Sequence, residues 1–120
     1  EATCTQTYSG SWYNDPEDIG PSCLMTHDNA EAYCAEIGGR LPYVTELLDA
    51  YEACAAAHGV NADEQEVCRP EGFNSYSGSY WSSYRGVEYG YSQSVDVTKG
   101  VKYYEGSPGS SRIAVRCHQP

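Results

Sequence analysis

The chain has 120 residues and a mass of 13.1 kDa, with 7 Lys+Arg against 17 Asp+Glu and a formal net charge of −10. That size supports one hydrophobic core, and so acidic a molecule repels phosphate backbones and anionic lipid surfaces, which argues against nucleic-acid and membrane-surface binding. With 40% hydrophobic and 12% aromatic residues the chain is expected to fold despite a mean hydropathy of −0.60, and no apolar run approaches the ~20 residues that span a bilayer.

Glu1 opens the chain with neither a basic stretch nor an apolar one behind it, the pattern expected of a mature or excised piece. Residues 1–22 are rich in Ser, Thr, Gly, Pro and Tyr, with turn signals at Asn14-Asp15-Pro16 and Gly20-Pro21, and read as a loop or short hairpin. Asp28 followed by Glu31 has capping-box spacing, and Ala30, Tyr33, Cys34 and Ile37 recur with the helical period. A helix over 28–37 with Cys34 on its buried face, stopped by Gly38-Gly39, is expected. Thr45 is placed to cap a second helix whose inward stripe is Leu47, Leu48, Tyr51 and Cys54 and whose stop is Gly59. Residues 60–79 show no sustained period and form a long loop, with Cys68 inside it as a staple.

From Tyr80 onward the pattern is that of strands. Tyr80–Tyr84 is one; Tyr89, Tyr91, Gln93, Val95 and Val97 alternate with mostly small or polar residues; Thr98-Lys99-Gly100 turns the chain into Val101–Tyr104, which pairs back as a hairpin. After the break at 107–111, Ile113–Cys117 forms a last strand. There is no internal repeat.

The six cysteines (Cys4, Cys23, Cys34, Cys54, Cys68, Cys117) are an even set without a C-x-x-C pair, and only His27, His58 and His118 accompany them. Zinc spacing is missing, so the set reads as three disulfides in an oxidising location, secreted or at the cell surface. Six cysteines admit fifteen connectivities, and spacing alone leaves them open.

In this order the pieces Ala32-Tyr33-Cys34, Gly38-Gly39-Arg40-Leu41-Pro42, Glu46-Leu47, Tyr80-Trp81-Ser82-Ser83 and Val115-Arg116-Cys117 resemble the C-type lectin-like domain. The bacterial form at the C-terminus of collagen-like adhesins is the nearest in pattern, with a looser likeness to the tips of intimin and invasin. The resemblance covers about residues 24–117. It implies an α+β, C-type lectin-like fold: two helices packed on a small twisted antiparallel sheet, chain ends close together, and a long loop region. It implies a single domain over 1–120, with 1–23 as an N-terminal hairpin extension, and places Trp81 in the core. It also implies a Cys34–Cys117 disulfide. Neighbourhood then suggests Cys54 with Cys68 and Cys4 with Cys23.

The motifs of calcium-dependent sugar binding in animal members of that family are missing. The one Trp-x-Asn-Asp string, Trp12 to Asp15, is at the wrong end of the chain, and Glu71, Asn74, Glu88 and Asp96 lack the spacing of a calcium loop. No metal or other cofactor is expected. No nucleophile–base–orienter set is visible, and the three histidines read as structural or surface residues, so the chain is read as non-catalytic. What stands out is tyrosine between Asn74 and Tyr104, interleaved with Ser and Gly, the residue set that paratopes use. Tyr76, Tyr84, Arg85, Glu88, Tyr89, Tyr91, Tyr103 and Tyr104 are the candidate ligand-binding residues. The reading is an extracellular recognition module for a glycan or protein on another cell or surface, within a larger surface protein or assembly. The acidic charge argues against sulfated polysaccharides. The alternative is a structural module, such as a pilus-tip or oligomer-capping domain, that buries its tyrosines against a sibling chain.

Overall fold

A computed structural model describes residues 4–14, 23–85, 91–106 and 110–120. The first helix, α1, runs His27–Glu36 and starts one residue earlier than the sequence pattern predicts. Its cap is Thr26, whose hydroxyl accepts the Asn29 N–H at 3.4 Å. Asp28 therefore falls inside the first turn, where a carboxylate suits the positive end of the helix dipole. Ala30 and Cys34, one turn apart, are fully buried, and Gly38 leaves the helix at φ 95°.

The second helix, α2, spans Val44–His58. Thr45 is not its cap: Tyr43 holds that position, and the Glu46 carboxylate reaches back to the Tyr43 N–H at 2.7 Å. Tyr43 enters in an extended conformation at φ −71° and ψ 155°, and Gly59 at φ 68° ends the helix in the left-handed region. Leu47, Tyr51 and Cys54 are buried as the stripe predicts, while Leu48 at its margin is half-buried.

Residues 8–13 form a hairpin of β1 (Tyr8–Ser9) and β2 (Trp12–Tyr13). A five-stranded sheet is built from β3 (Leu24–Met25), β4 (Ser79–Arg85), β5 (Ser92–Asp96), β6 (Val101–Glu105) and β7 (Ile113–Ala114), in the order β3-β7-β4-β5-β6. The expected antiparallel sheet is in fact mixed. β7 pairs antiparallel with β3 but parallel with β4, at Tyr80↔Ala114. After two reversals β6 runs parallel to β4, and β7, on the far side of β4, keeps that direction instead of reversing again.

The core has three parts. Trp81, Cys34, Ala30, Leu41, Val115 and Cys117 pack under α1 with Tyr13 and Cys23. Leu47, Phe73, Tyr80, Val95, Val97 and Ala114 pack under α2, and Tyr51, Cys54, Ala55 and Cys68 close its far end. All five residues of β5 are buried, so the alternation in its sequence does not separate core from solvent; it separates two covered faces.

The three disulfides join Cys4–Cys23, Cys34–Cys117 and Cys54–Cys68. The second closes 83 positions and fastens α1 to the last segment of the chain. The last strand is shorter than predicted, because beyond Ala114 its backbone bonds to side chains and other segments instead of a ladder. Gln6, itself buried, donates to the Val115 carbonyl at 2.7 Å and accepts the Cys117 N–H at 3.0 Å. The Tyr13 N–H bonds the Cys117 carbonyl at 2.9 Å, and His118 bridges to Trp12 and Arg40, so the two ends of the domain are interlaced.

The long segment after α2 is also held. It contains one 3₁₀ turn, Ala62–Glu64. Cys68 is bonded to Cys54 and its N–H to the Thr98 carbonyl, Arg69 donates to the carbonyls of Phe73 and Ser75, and Phe73 is buried in the core.

Candidate functional site

Side chains alternate across a strand, so the parity of each residue decides which tyrosines can meet. On β5, Gln93 and Val95 face α2, and their partners on β6 are Tyr104 and Lys102. A bulge between Trp81 and Arg85 shifts the β4–β5 register, and Tyr84 emerges on this same face. Tyr84, Tyr91 and Tyr104 consequently form one cluster. The Tyr84 and Tyr91 hydroxyls are 3.2 Å apart with ring centroids at 5.9 Å, and Tyr91 meets Tyr104 edge to face at 5.1 Å. Tyr84 is 40% and Tyr104 63% exposed, so the cluster presents ring surface to solvent.

The other candidate residues lie elsewhere. Tyr103, next to Tyr104 on the strand, faces the opposite side beside Ser94. Tyr76 is 93% exposed in the loop before β4 and belongs to a separate surface. Arg85 turns to the α1 face, where it ion-pairs with Asp28 and with Glu31 at 3.2 Å and donates to His27 Nδ1 at 3.2 Å. The hydrogen bond from Arg85, with its charge, holds the Asp28 carboxyl below the usual carboxylate range. Glu88 and Tyr89 lie outside the described residues.

Two neighbours of the cluster carry polar chemistry that the sequence reading did not single out. Gln93, across from Tyr104, is 6% exposed. Lys102 is exposed two residues from Tyr104 on the same face. The signal for both was present in the strand parity, since each shares the parity of Tyr104 or its partner.

A second concavity of about 360 Å³ lies beside α2, lined by Ala50, Ala53, Ala57, Trp12, Phe73 and Arg116 among others. The Arg116 guanidinium lies against the Phe73 and Trp12 rings at 4.5 and 5.0 Å, and its Nε donates to the Tyr13 carbonyl. The alanines, spaced to fall on one helix face, leave the hollow that larger residues would fill.

Neither grouping of metal-type side chains among the described residues is arranged as an open metal site. Cys54 and Cys68 beside His58 are joined to each other, and the guanidinium of Arg85 sits among His27, Asp28 and Glu31. Of the residues weighed for calcium, Asp96 is buried with Oδ1 accepting from the Thr98 N–H and hydroxyl, and Glu71 and Asn74 lie in the 60–78 segment. The histidines are tied to structure. His27 is fully buried with Nε2 donating to the Ser82 carbonyl at 2.9 Å, His58 Nδ1 lies 3.0 Å from the Cys54 carbonyl, and His118 is beside Arg40 and Glu46.

The Arg40–Glu46 pair sets the entrance to α2. Its two hydrogen bonds measure 2.9 and 2.8 Å, and Arg40 lies 4.0 Å over the Tyr43 ring. Partial burial pushes the Glu46 carboxyl up, but hydrogen bonds from Arg40 and the Tyr43 N–H outweigh it and hold the group below its ordinary value. This buttress supports the Tyr80–Tyr84 strand, because the Ser83 N–H bonds the Pro42 carbonyl at 2.8 Å. Compared with protein-family models, with curated proteins and with solved structures, the chain matches none.

Proposed function

We propose that this domain is a non-catalytic extracellular recognition module that engages a glycan or protein ligand through the Tyr84–Tyr91–Tyr104 surface. The observation that carries the reading is the exposed aromatic cluster itself. A small acidic protein keeps large rings in water at a cost in solubility, and clustering them at one end of the β4–β5–β6 sheet suits recognition. The three disulfides fit an oxidising compartment, and among the described residues no helix is long and apolar enough to cross a membrane. The finer reading is a C-type lectin-like domain of the adhesin type. In its favour are the element order of two helices followed by a sheet, the Cys34–Cys117 link, buried Trp81 and the interlaced chain ends.

The test is a screen of immobilised glycans and cell-surface proteins with the wild-type domain and Tyr104→Ala. The expected result is a ligand whose affinity falls by ~1 to 3 kcal/mol in the variant at unchanged melting temperature. Ligands bound equally well by Tyr104→Ala would move the site elsewhere. A mass that rises with concentration, and a Tyr104→Ala variant that stays monomeric, would favour the assembly module, in which the same rings bury against a sibling chain.

A further inference from the structure

We infer that the tyrosine surface is built for a saccharide bearing a carboxylate, with Lys102 as the group that reads the charge; this deepens the recognition reading above and rests on it. The first observation is how the chain spends its few cations. Arg40 is paired with Glu46, and Arg85 with Asp28 and Glu31. Arg69 is spent on two carbonyls, Arg116 is packed against Trp12 and Phe73, and Arg112, just before β7, is exposed away from the β5–β6 hairpin. The chain has only two lysines, Lys99 and Lys102, and both lie at the β5–β6 hairpin without a carboxylate partner among the described residues. In a molecule of net charge −10, the tyrosine surface is thus flanked by two lysines that form no ion pair among the described residues.

The second observation is Gln93. Its residue is more than nine-tenths buried, it sits between Tyr91 and Val95 on the cluster's face and opposite Tyr104, and its side-chain amide makes no hydrogen bond among the described residues. The packing around it holds the amide in place without sealing it from solvent, so a ligand can take the place of water there. An amide offers one acceptor and two donors side by side, which matches neighbouring sugar hydroxyls.

The geometry then assigns three contacts. The exposed Tyr104 ring, braced edge-on by Tyr91, stacks a pyranose ring. Gln93 bonds its hydroxyls. Lys102, on the order of 7 Å along the strand from Tyr104, meets a carboxylate at the ring's edge. A single carboxylate needs only that one cation. A densely sulfated polymer would extend over the acidic remainder of the surface and be repelled, so the local and global charges do not conflict.

The experiment is a titration of the domain with a panel of uronic-acid and sialic-acid-type oligosaccharides, each beside its methyl ester, and with a Glu-rich peptide. The readout is ring and side-chain NMR shifts. The expected result is that at least one acid binds about two- to fivefold more tightly than its ester, as exposed ion pairs allow, with the advantage shrinking in salt. Lys102→Gln erases the difference and Lys102→Arg keeps it, while Tyr104→Ala weakens acid and ester alike by about fivefold or more. Acid and ester bound equally, with loss in Tyr104→Ala, would overturn the role of the carboxylate and leave the tyrosine surface standing. Binding of the Glu-rich peptide in place of every saccharide would overturn the saccharide class. No binding by any acid on the panel would overturn the inference, and binding indifferent to Tyr104 would remove the recognition surface as well. Equal melting temperatures of the variants and the wild type keep these outcomes separate from unfolding.

Discussion

The same side chain serves two ends of this molecule under opposite conditions. Tyr13, Tyr51 and Tyr80 are buried, and each hydroxyl is matched to backbone: Tyr13 donates to the Ile37 carbonyl, Tyr51 to the Glu66 carbonyl, and Tyr80 accepts the Ser75 N–H at 2.8 Å. Tyr84 and Tyr104, on the same face of the sheet as Tyr80, are open to solvent, and the Tyr84 hydroxyl's neighbour is another tyrosine. The difference is made by what covers each. Tyr80 lies under α2 with Leu47 and Phe73, whereas past the bulge in β4 the sheet extends beyond the packed cluster. A buried tyrosine here is a fixed joint between a strand and a loop, while an exposed one is surface available to a partner.

Substitution breaks this contrast most directly. Tyr80→Ala removes a fully buried ring and is expected to cost ~3 to 5 kcal/mol in urea unfolding, as aromatic truncations in cores do. Tyr104→Ala should stay within about 0.5 kcal/mol of the wild type by the same measure. A comparable loss in both would mean that the cluster is a second core.

A gentler pair isolates the hydroxyls. Tyr80→Phe leaves the buried Ser75 N–H without an acceptor and should cost ~1 to 3 kcal/mol. Tyr84→Phe, whose hydroxyl can be replaced by water, should leave the melting temperature unchanged.

The Arg40–Glu46 buttress lies between the two regimes, with side chains about a quarter exposed. Because the folded state holds the Glu46 carboxyl below its ordinary value, it favours the ionised form. The resulting stabilisation is complete above the ordinary carboxylate range and is lost as pH falls through the depressed folded value. Glu46→Gln should therefore lower stability by about 1 kcal/mol at neutral pH and flatten the decline in acid. An unchanged acid slope would show that the pair contributes nothing.

The smallest expected effect is none. EDTA at fixed protein concentration should leave the melting temperature where it is, since among the described residues the groupings that could attract a divalent ion are occupied by a disulfide and by Arg85. A drop of several degrees would place an ion in the fold and reopen Glu71, Glu88 and Asp96 as ligands.

Much of the fold was legible before any coordinates. Both helices are where the apolar period places them, because burial of one stripe decides helix position even when caps do not. The caps themselves differed: Thr26 and Tyr43 took over from Asp28 and Thr45, since several residues near a helix start can offer an oxygen and the surrounding contacts choose among them. The disulfide partners proposed from the resemblance and from neighbourhood are those observed. The candidate site was legible in type more than in place. Tyrosine density pointed to the right strands, yet only Tyr84, Tyr91 and Tyr104 came together; Tyr103 and Arg85 went to the other face and Tyr76 to a distant loop.

Cysteine number and hydrophobic period thus determined on their own that this chain makes two helices followed by strands and staples them with disulfides, because each of those acts locally or through the sum of the residues. What only the tertiary structure decided is which surface the tyrosines make. The pairing of β4, β5 and β6 puts Tyr84, Tyr91 and Tyr104 on one face, and the cover on both faces of β5 leaves Gln93 buried opposite Tyr104 with Lys102 two positions along β6. Strand register is a contact between residues far apart in sequence, and a shift of one position would carry every one of these side chains to the opposite face.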